Sequence, residues 1–130
     1  MAKSAPSIRT ITPEERKTLP GPPGLPFVRQ EMFGDGHLWV GMVTTEPGCA
    51  SPWHHHGDHE TYVYLLEGEA TVEYGAGGSE KMRATADGSL HIVPAGFPHR
   101  EINTGATPNR MLVVRVGEGP AVVPLDGPPE

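Results

Sequence analysis

The sequence predicts an all-β fold, closed as a barrel or a two-sheet jelly roll. Three observations carry that prediction. From Phe27 onward no stretch sustains a helical period over three turns. Short runs rich in β-branched and aromatic residues recur instead, and glycine, proline and Asx turn signals separate them at hairpin-like intervals. Many short strands in such an arrangement favour architectures that protect sheet edges by closing on themselves or by pairing face to face. With 130 residues the chain has room for one core and one functional region.

Three segments follow in order. Residues 1–26 form an N-terminal extension, 27–119 the β-barrel, and 120–130 an extended C-terminal tail. Ten of the fifteen prolines lie at or before Pro26 or at or after Pro120, so both ends are proline-rich and extended while the centre has ordinary proline content. Within the extension, Thr12-Pro13-Glu14-Glu15 marks a short helical turn, with Thr12 as cap, Pro13 at the first position and acids in the first turn. Leu19 to Pro26 (LPGPPGLP) excludes both helix and central strand and reads as a connector. Strands are expected near Phe27 to Phe33, His37 to Thr45, Ser51 to His56, Thr61 to Leu66 and Ala70 to Tyr74. Four more are expected near Lys81 to Ala84, Leu90 to Val93, His99 to Asn103 and Arg110 to Val116. Between them stand Gly34-Asp35-Gly36, Glu46-Pro47-Gly48, Gly68, Gly75 to Gly78, Asp87-Gly88, Pro94-Ala95-Gly96 and Asn103 to Asn109, each with turn chemistry.

The charge balance narrows the partners. Ten basic residues against sixteen acids give a formal charge of -6, and no basic stripe is present to neutralise a phosphate backbone, so nucleic acid is excluded as a partner. No window has the apolar length to span a bilayer and no leader-like apolar region opens the chain, so no membrane association and a cytoplasmic location are expected. Cys49 is alone and cannot form an internal disulfide, so the fold must close by packing.

Four of the seven histidines fall within Trp53-His54-His55-His56-Gly57-Asp58-His59-Glu60. On a strand, alternate side chains share a face, so His54 and His56 project together while His55 points away. After the Gly57-Asp58 turn, Glu60 or His59 stands where a side chain can fold back as a third ligand. His99, in the tight turn Pro94-Ala95-Gly96-Phe97-Pro98-His99, is the fourth candidate. The expected metal set is therefore His54, His56, Glu60 and His99, with His59 as the alternative third ligand. Imidazoles with at most one carboxylate suit a single divalent transition metal ion, Fe, Mn, Ni, Zn or Cu, rather than calcium or magnesium. A solvent-exposed polar turn that binds metal adventitiously is the plainer reading of the histidine cluster, and its internal position between strands, with a matched distant His99, argues against it.

At these residues the sequence resembles the cupin superfamily, whose fold is a double-stranded β-helix or jelly-roll barrel. One motif runs Gly48, five residues, His54-x-His56, three residues, Glu60, then Gly68; the other runs Gly88, Pro94, Gly96, His99, Asn103 with every spacing kept. The departure is between Glu60 and Gly68, where seven residues stand in place of six. Counting back from Gly68 puts the motif's glutamate at Thr61, whose strand face His59 shares and Glu60 does not, whereas counting forward from His56 selects Glu60. A bulge beside the site would reconcile the two counts. The resemblance also implies a homodimer, with the proline-rich lead and Phe27 to Phe33 as an exchanged edge strand.

Other residues carry weaker signals. Asn103 is expected to fix the turn that follows it. Glu101 shares the face of His99 and is placed to orient a ligand or a bound water. His37 and His91 have no motif support. Tyr62 and Tyr64 share a face opposite Thr61 and Val63, and Cys49 reads as a small buried hydrophobe. Two functions stay open. One is a mononuclear metalloenzyme acting on a small organic molecule, either by dioxygenase-type chemistry or as a Lewis-acid isomerase, lyase or decarboxylase. The other is a non-catalytic module that binds or senses a small metabolite. Polar side chains directed at an open metal position favour the first, and a sealed apolar cavity favours the second.

Overall fold

The structure is a computed structural model that describes residues 6–20 and 27–130. Its strands are β1 (Lys17–Thr18), β2 (Phe27–Gly34), β3 (Leu38–Thr45), β4 (His54–His55), β5 (Glu60–Glu67), β6 (Glu69–Tyr74), β7 (Glu80–Thr85), β8 (Leu90–Val93), β9 (His99–Ile102), β10 (Asn109–Val116) and β11 (Val123–Pro124). Eight of them pair as one long hairpin folded over on itself: β3 with β10, β4 with β9, β5 with β8, and β6 with β7 at the tip. Rolling that hairpin brings β10 against β5 and β9 against β6, which produces two antiparallel sheets of order β1-β2-β3-β10-β5-β8 and β11-β4-β9-β6-β7. This is the all-β jelly roll that the strand pattern predicts. The tip turn is made by the Gly75 to Gly78 run, where Gly75, Gly77 and Gly78 all have positive φ.

Alternation along each strand decides what faces the interior. On β10, Asn109, Met111, Val113 and Arg115 are buried while their neighbours are half-exposed. Met111 and Val113 join Leu65, Ala70 and Ala84 in the hydrophobic core, with Trp39, Val43, Val63 and Met82 packed against it. Polar residues at both ends of the inward row on β10 bracket this core, and the Arg115 end belongs to the site described below.

The N-terminal helical turn stands where the sequence places it, and two other elements differ from expectation. The N-terminal helical turn is a single 3-10 turn, Pro13–Glu15, closed by the hydroxyl of Thr12 on the Glu15 carboxylate at 2.9 Å. The strand expected over Ser51 to His56 is confined to His54–His55, with one isolated bridge at Ala50, because Pro52 between them has no N–H to donate. The ends of the chain are more structured than a pair of extended tails: β1 pairs with β2, and β11 pairs with β4. Of the expected connector, residues 21–26 lie outside the described residues, as do residues 1–5. β2 pairs with β3 of its own chain. Among the described residues no helix is long and apolar enough to cross a membrane.

Candidate metal centre

The register of β4 against β9 sets His54 directly opposite His99. Alternation turns His56 to the same side as His54. His55 points away, its Nδ1 accepting the Gly57 N–H at 2.9 Å. The turn into β5 needs Gly57, which has φ +58 and whose Cβ position lies 2.6 Å from the Pro120 carbonyl oxygen, leaving no room for a side chain. The rings of His54, His56 and His99 form a nearly equilateral triangle, with centroid separations of 4.9, 4.5 and 5.0 Å. Glu101, two residues beyond His99 on the same face, completes a group whose ligand atoms all lie within 4.8 Å of one another.

Each imidazole is oriented by a backbone carbonyl on its Nδ1. Pro52 O holds His54 at 2.7 Å, Ala121 O holds His56 at 2.8 Å and Phe97 O holds His99 at 2.8 Å. A carbonyl can only accept, so in each ring Nδ1 carries the proton and Nε2 keeps its lone pair. On His99 that Nε2 is buried with no hydrogen-bond partner and stands 3.5 Å from Glu101 Oε1. Such carbonyl-anchored rings with a free nitrogen turned inward are the arrangement in which histidine ligates metals. Three imidazoles and one carboxylate therefore fit a divalent transition metal ion.

The electrostatics are consistent with that arrangement. Burial pushes the His54 imidazole down. Burial, then the Arg115 guanidinium, brings His56 to about 3. Burial also opposes charge on His99, but the Glu101 carboxylate facing it outweighs that and leaves His99 above the ordinary imidazole value. Reciprocally, His99 overcomes the desolvation of Glu101 and holds that carboxyl at about 2.

Neither candidate for the third ligand joins this group. Glu60 is exposed at the start of β5 and its carboxylate accepts from the Tyr62 hydroxyl, so it lies outside the group. The β5 register explains this. Thr61 is the inward residue, 2 % exposed, and Glu60 and Tyr62 are turned the other way. His59 is buried, but its Nδ1 bonds to the His56 carbonyl at 3.1 Å within its own turn, and it too lies outside the group. Glu101 stands in the carboxylate's place. The face it shares with His99 was visible in the sequence, but nothing there raised it above an orienting role.

Two cavities, of about 360 and 400 Å³, meet at this group. His54, His56, Thr61 and Arg115 line the first, His99 lines the second, and Glu101 lines both. His91, which lacks motif support, lines the second with its Nε2 buried and unpartnered. Asn103 acts as expected: its Nδ2 donates to the Thr45 and Thr107 carbonyls, and its Oδ1 accepts the Gly105 N–H, each at 2.9 Å.

Fold and site together define a double-stranded β-helix protein with a metal-type donor set inside its barrel. The family model described as Cupin domain matches residues 41–115, and the chain belongs to the cupin family. Among solved structures, a Klebsiella pneumoniae protein described as having a double-stranded β-helix domain is 19 % identical, with TM-score 0.71 over 92 % of this chain and 99 % of its own. The polyketide cyclase RemF from Streptomyces resistomycificus is 20 % identical, with TM-score 0.72 over 92 % of this chain and 86 % of its own. An RmlC-like cupin from Shewanella frigidimarina is 20 % identical, with TM-score 0.66 over 85 % and 92 %. These likenesses establish the fold. No curated protein matches the chain.

Proposed function

We propose that this cupin is a mononuclear metalloenzyme acting on a small organic molecule, with His54, His56, His99 and Glu101 as the metal-holding residues. The observation that carries the reading is the donor set itself: three rings fixed through Nδ1 by backbone carbonyls, with a carboxylate beside them, opening onto a cavity rather than sealed in core. When bound there, a transition metal supplies Lewis acidity and, if redox-active, dioxygen chemistry. The chain's own contribution is to hold His54 and His56 neutral, to keep Glu101 ionised beside His99, and to enclose the substrate between the two sheets. Polar side chains aimed into the cavity, Arg115 and Thr61 among them, favour catalysis over passive storage of a metabolite.

Elemental analysis of tag-free protein tests the reading. The parent chain is expected to hold one metal ion per chain, with His54→Ala and His99→Ala each losing it. Retention by both variants overturns the assignment.

A further inference from the structure

We propose that the cavity of about 360 Å³ beside the imidazoles binds small organic acids with their carboxylate on Arg115. This deepens the metalloenzyme reading and rests on it in one respect, that the acid lies next to a bound metal. The chain as a whole carries a charge of -6, yet Glu101 is the one acid lining this cavity, against two guanidiniums, Arg29 and Arg115. Glu101 is already engaged with His99. Among the described residues neither arginine forms a salt bridge, and Arg29 donates only to the Pro20 carbonyl at 3.4 Å.

Arg115 is 8 % exposed, its guanidinium carbon 5.0 Å from the Trp39 ring centroid, and its Nε is buried with no partner. Directly across the β5–β10 ladder is Thr61, whose Oγ1 is also buried and unpartnered. A buried guanidinium with an unused N–H, next to an unused hydroxyl, is a structure that costs stability unless something bonds to it. Burial pushes Arg115 down to about 10, which leaves it cationic at neutral pH. Its planar fork matches a carboxylate, and the Trp39 ring beneath holds it in place. Phe27, Val63 and Met111 are among the side chains that make most of the remaining wall apolar, with Ser51, Asn103 and Asn109 in its polar part. The ligand class is thus an apolar body ending in a single carboxylate. A sugar phosphate or nucleotide would bring more polar surface than these walls can satisfy.

Calorimetric titration of the full-length, metal-loaded protein with benzoate and with benzamide tests the assignment, metal content being measured on the same samples. The two probes share shape and differ in charge. Benzoate is expected to bind the parent on the order of tenfold to a hundredfold more tightly, the range for a charge-assisted hydrogen bond. Arg115→Gln is expected to remove that preference with the metal retained, and Arg115→Lys to keep part of it. Equal binding of the two probes by the parent, binding of neither, or an undiminished preference in folded Arg115→Gln overturns the proposal. The preference in protein that takes up no metal upholds the subsite while removing the metal reading. Metal-loaded protein without the preference does the reverse.

Discussion

Removal of residues 120–130 tests how the C-terminal strand serves the site. Besides the ladder that pairs β11 with β4, three hydrogen bonds disappear: His56 Nδ1–H to the Ala121 carbonyl at 2.8 Å, the Leu125 N–H to the Trp53 carbonyl at 2.9 Å, and the Gly77 N–H to the Pro129 carbonyl at 2.6 Å. At about 1 kcal/mol net for each, these three bonds alone are worth about 3 kcal/mol. For a domain of this size that corresponds to a fall in Tm of about 10 °C. The nested pairs from β3 to β10 are untouched, so the truncated chain is expected to fold. The site suffers more than the fold. His56 loses the acceptor that fixes its tautomer and ring plane, and loss of such an outer partner costs roughly 10- to 100-fold in metal affinity. Competition titration against a chromophoric chelator measures the affinity, and thermal melts of metal-free protein measure the fold separately. If the truncated chain melts about 10 °C lower but binds metal as tightly as the parent, the Ala121 carbonyl does not organise the site and the reasoning fails.

Three further outcomes are expected. In Gly41→Ala the new Cβ would stand 2.1 Å from Trp39 Cη2, so the indole under Arg115 must shift; the cost is about 1–3 kcal/mol by thermal melts, and a melt equal to the parent's refutes the contact. Metal affinity is expected to fall roughly tenfold per pH unit below the His99 value and to level off above it. The reason is that His99 alone of the three rings is raised and must give up a proton, while His54 and His56 are already neutral; a two-proton slope in the competition titration contradicts this. The Glu73 carboxyl is held below its usual value, first by the hydrogen bond from Arg100 at 2.5 Å. Its stabilisation is therefore complete above the ordinary carboxylate range and lost as pH falls through the folded value, so Glu73→Gln flattens the acid limb of Tm against pH.

Much of the site could be read from residue order because strand alternation is a strong constraint. His54 and His56 share a face because two is the strand period, and the spacing from Gly88 through Pro94 and Gly96 sets His99 at the first position of β9. The missing pieces fail for physical reasons. β11 and β1 are two-residue pairings in proline-rich or charged surroundings, where no alternation can accumulate, yet β11 adjoins the carbonyl that holds His56. Arg115 ends a row whose inward members Met111 and Val113 are apolar, and a cation at such a place reads as solvated unless its buried partners are known. Glu60 was lost to register. The turn closed by the His59 N–H on the His56 carbonyl at 3.0 Å begins β5 so that the next inward residue is Thr61.

That register explains why the carboxylate comes from β9. Counting back from Gly68 assigns the family's acid to position 61, and the structure puts residue 61 inward, 2 % exposed, but with a hydroxyl too short to replace a glutamate. Glu101 approaches the same group from the opposite sheet, two residues past His99. A carboxylate moved in this way leaves position 61 beside Arg115 without a charge, and so leaves the guanidinium available for a ligand. The two properties should therefore exchange together. Glu101→Gln is expected to weaken metal binding by about tenfold or more, since even an outer partner is worth that much, while Glu60→Gln leaves it unchanged. Adding Thr61→Glu to Glu101→Gln should restore most of the metal affinity and cancel the preference for benzoate over benzamide, because the new carboxylate sits across the ladder from Arg115. Recovery of metal binding with the benzoate preference intact would show that Arg115 is not the acid's partner. Loss of metal in Glu60→Gln but not in Glu101→Gln would return the third ligand to β5.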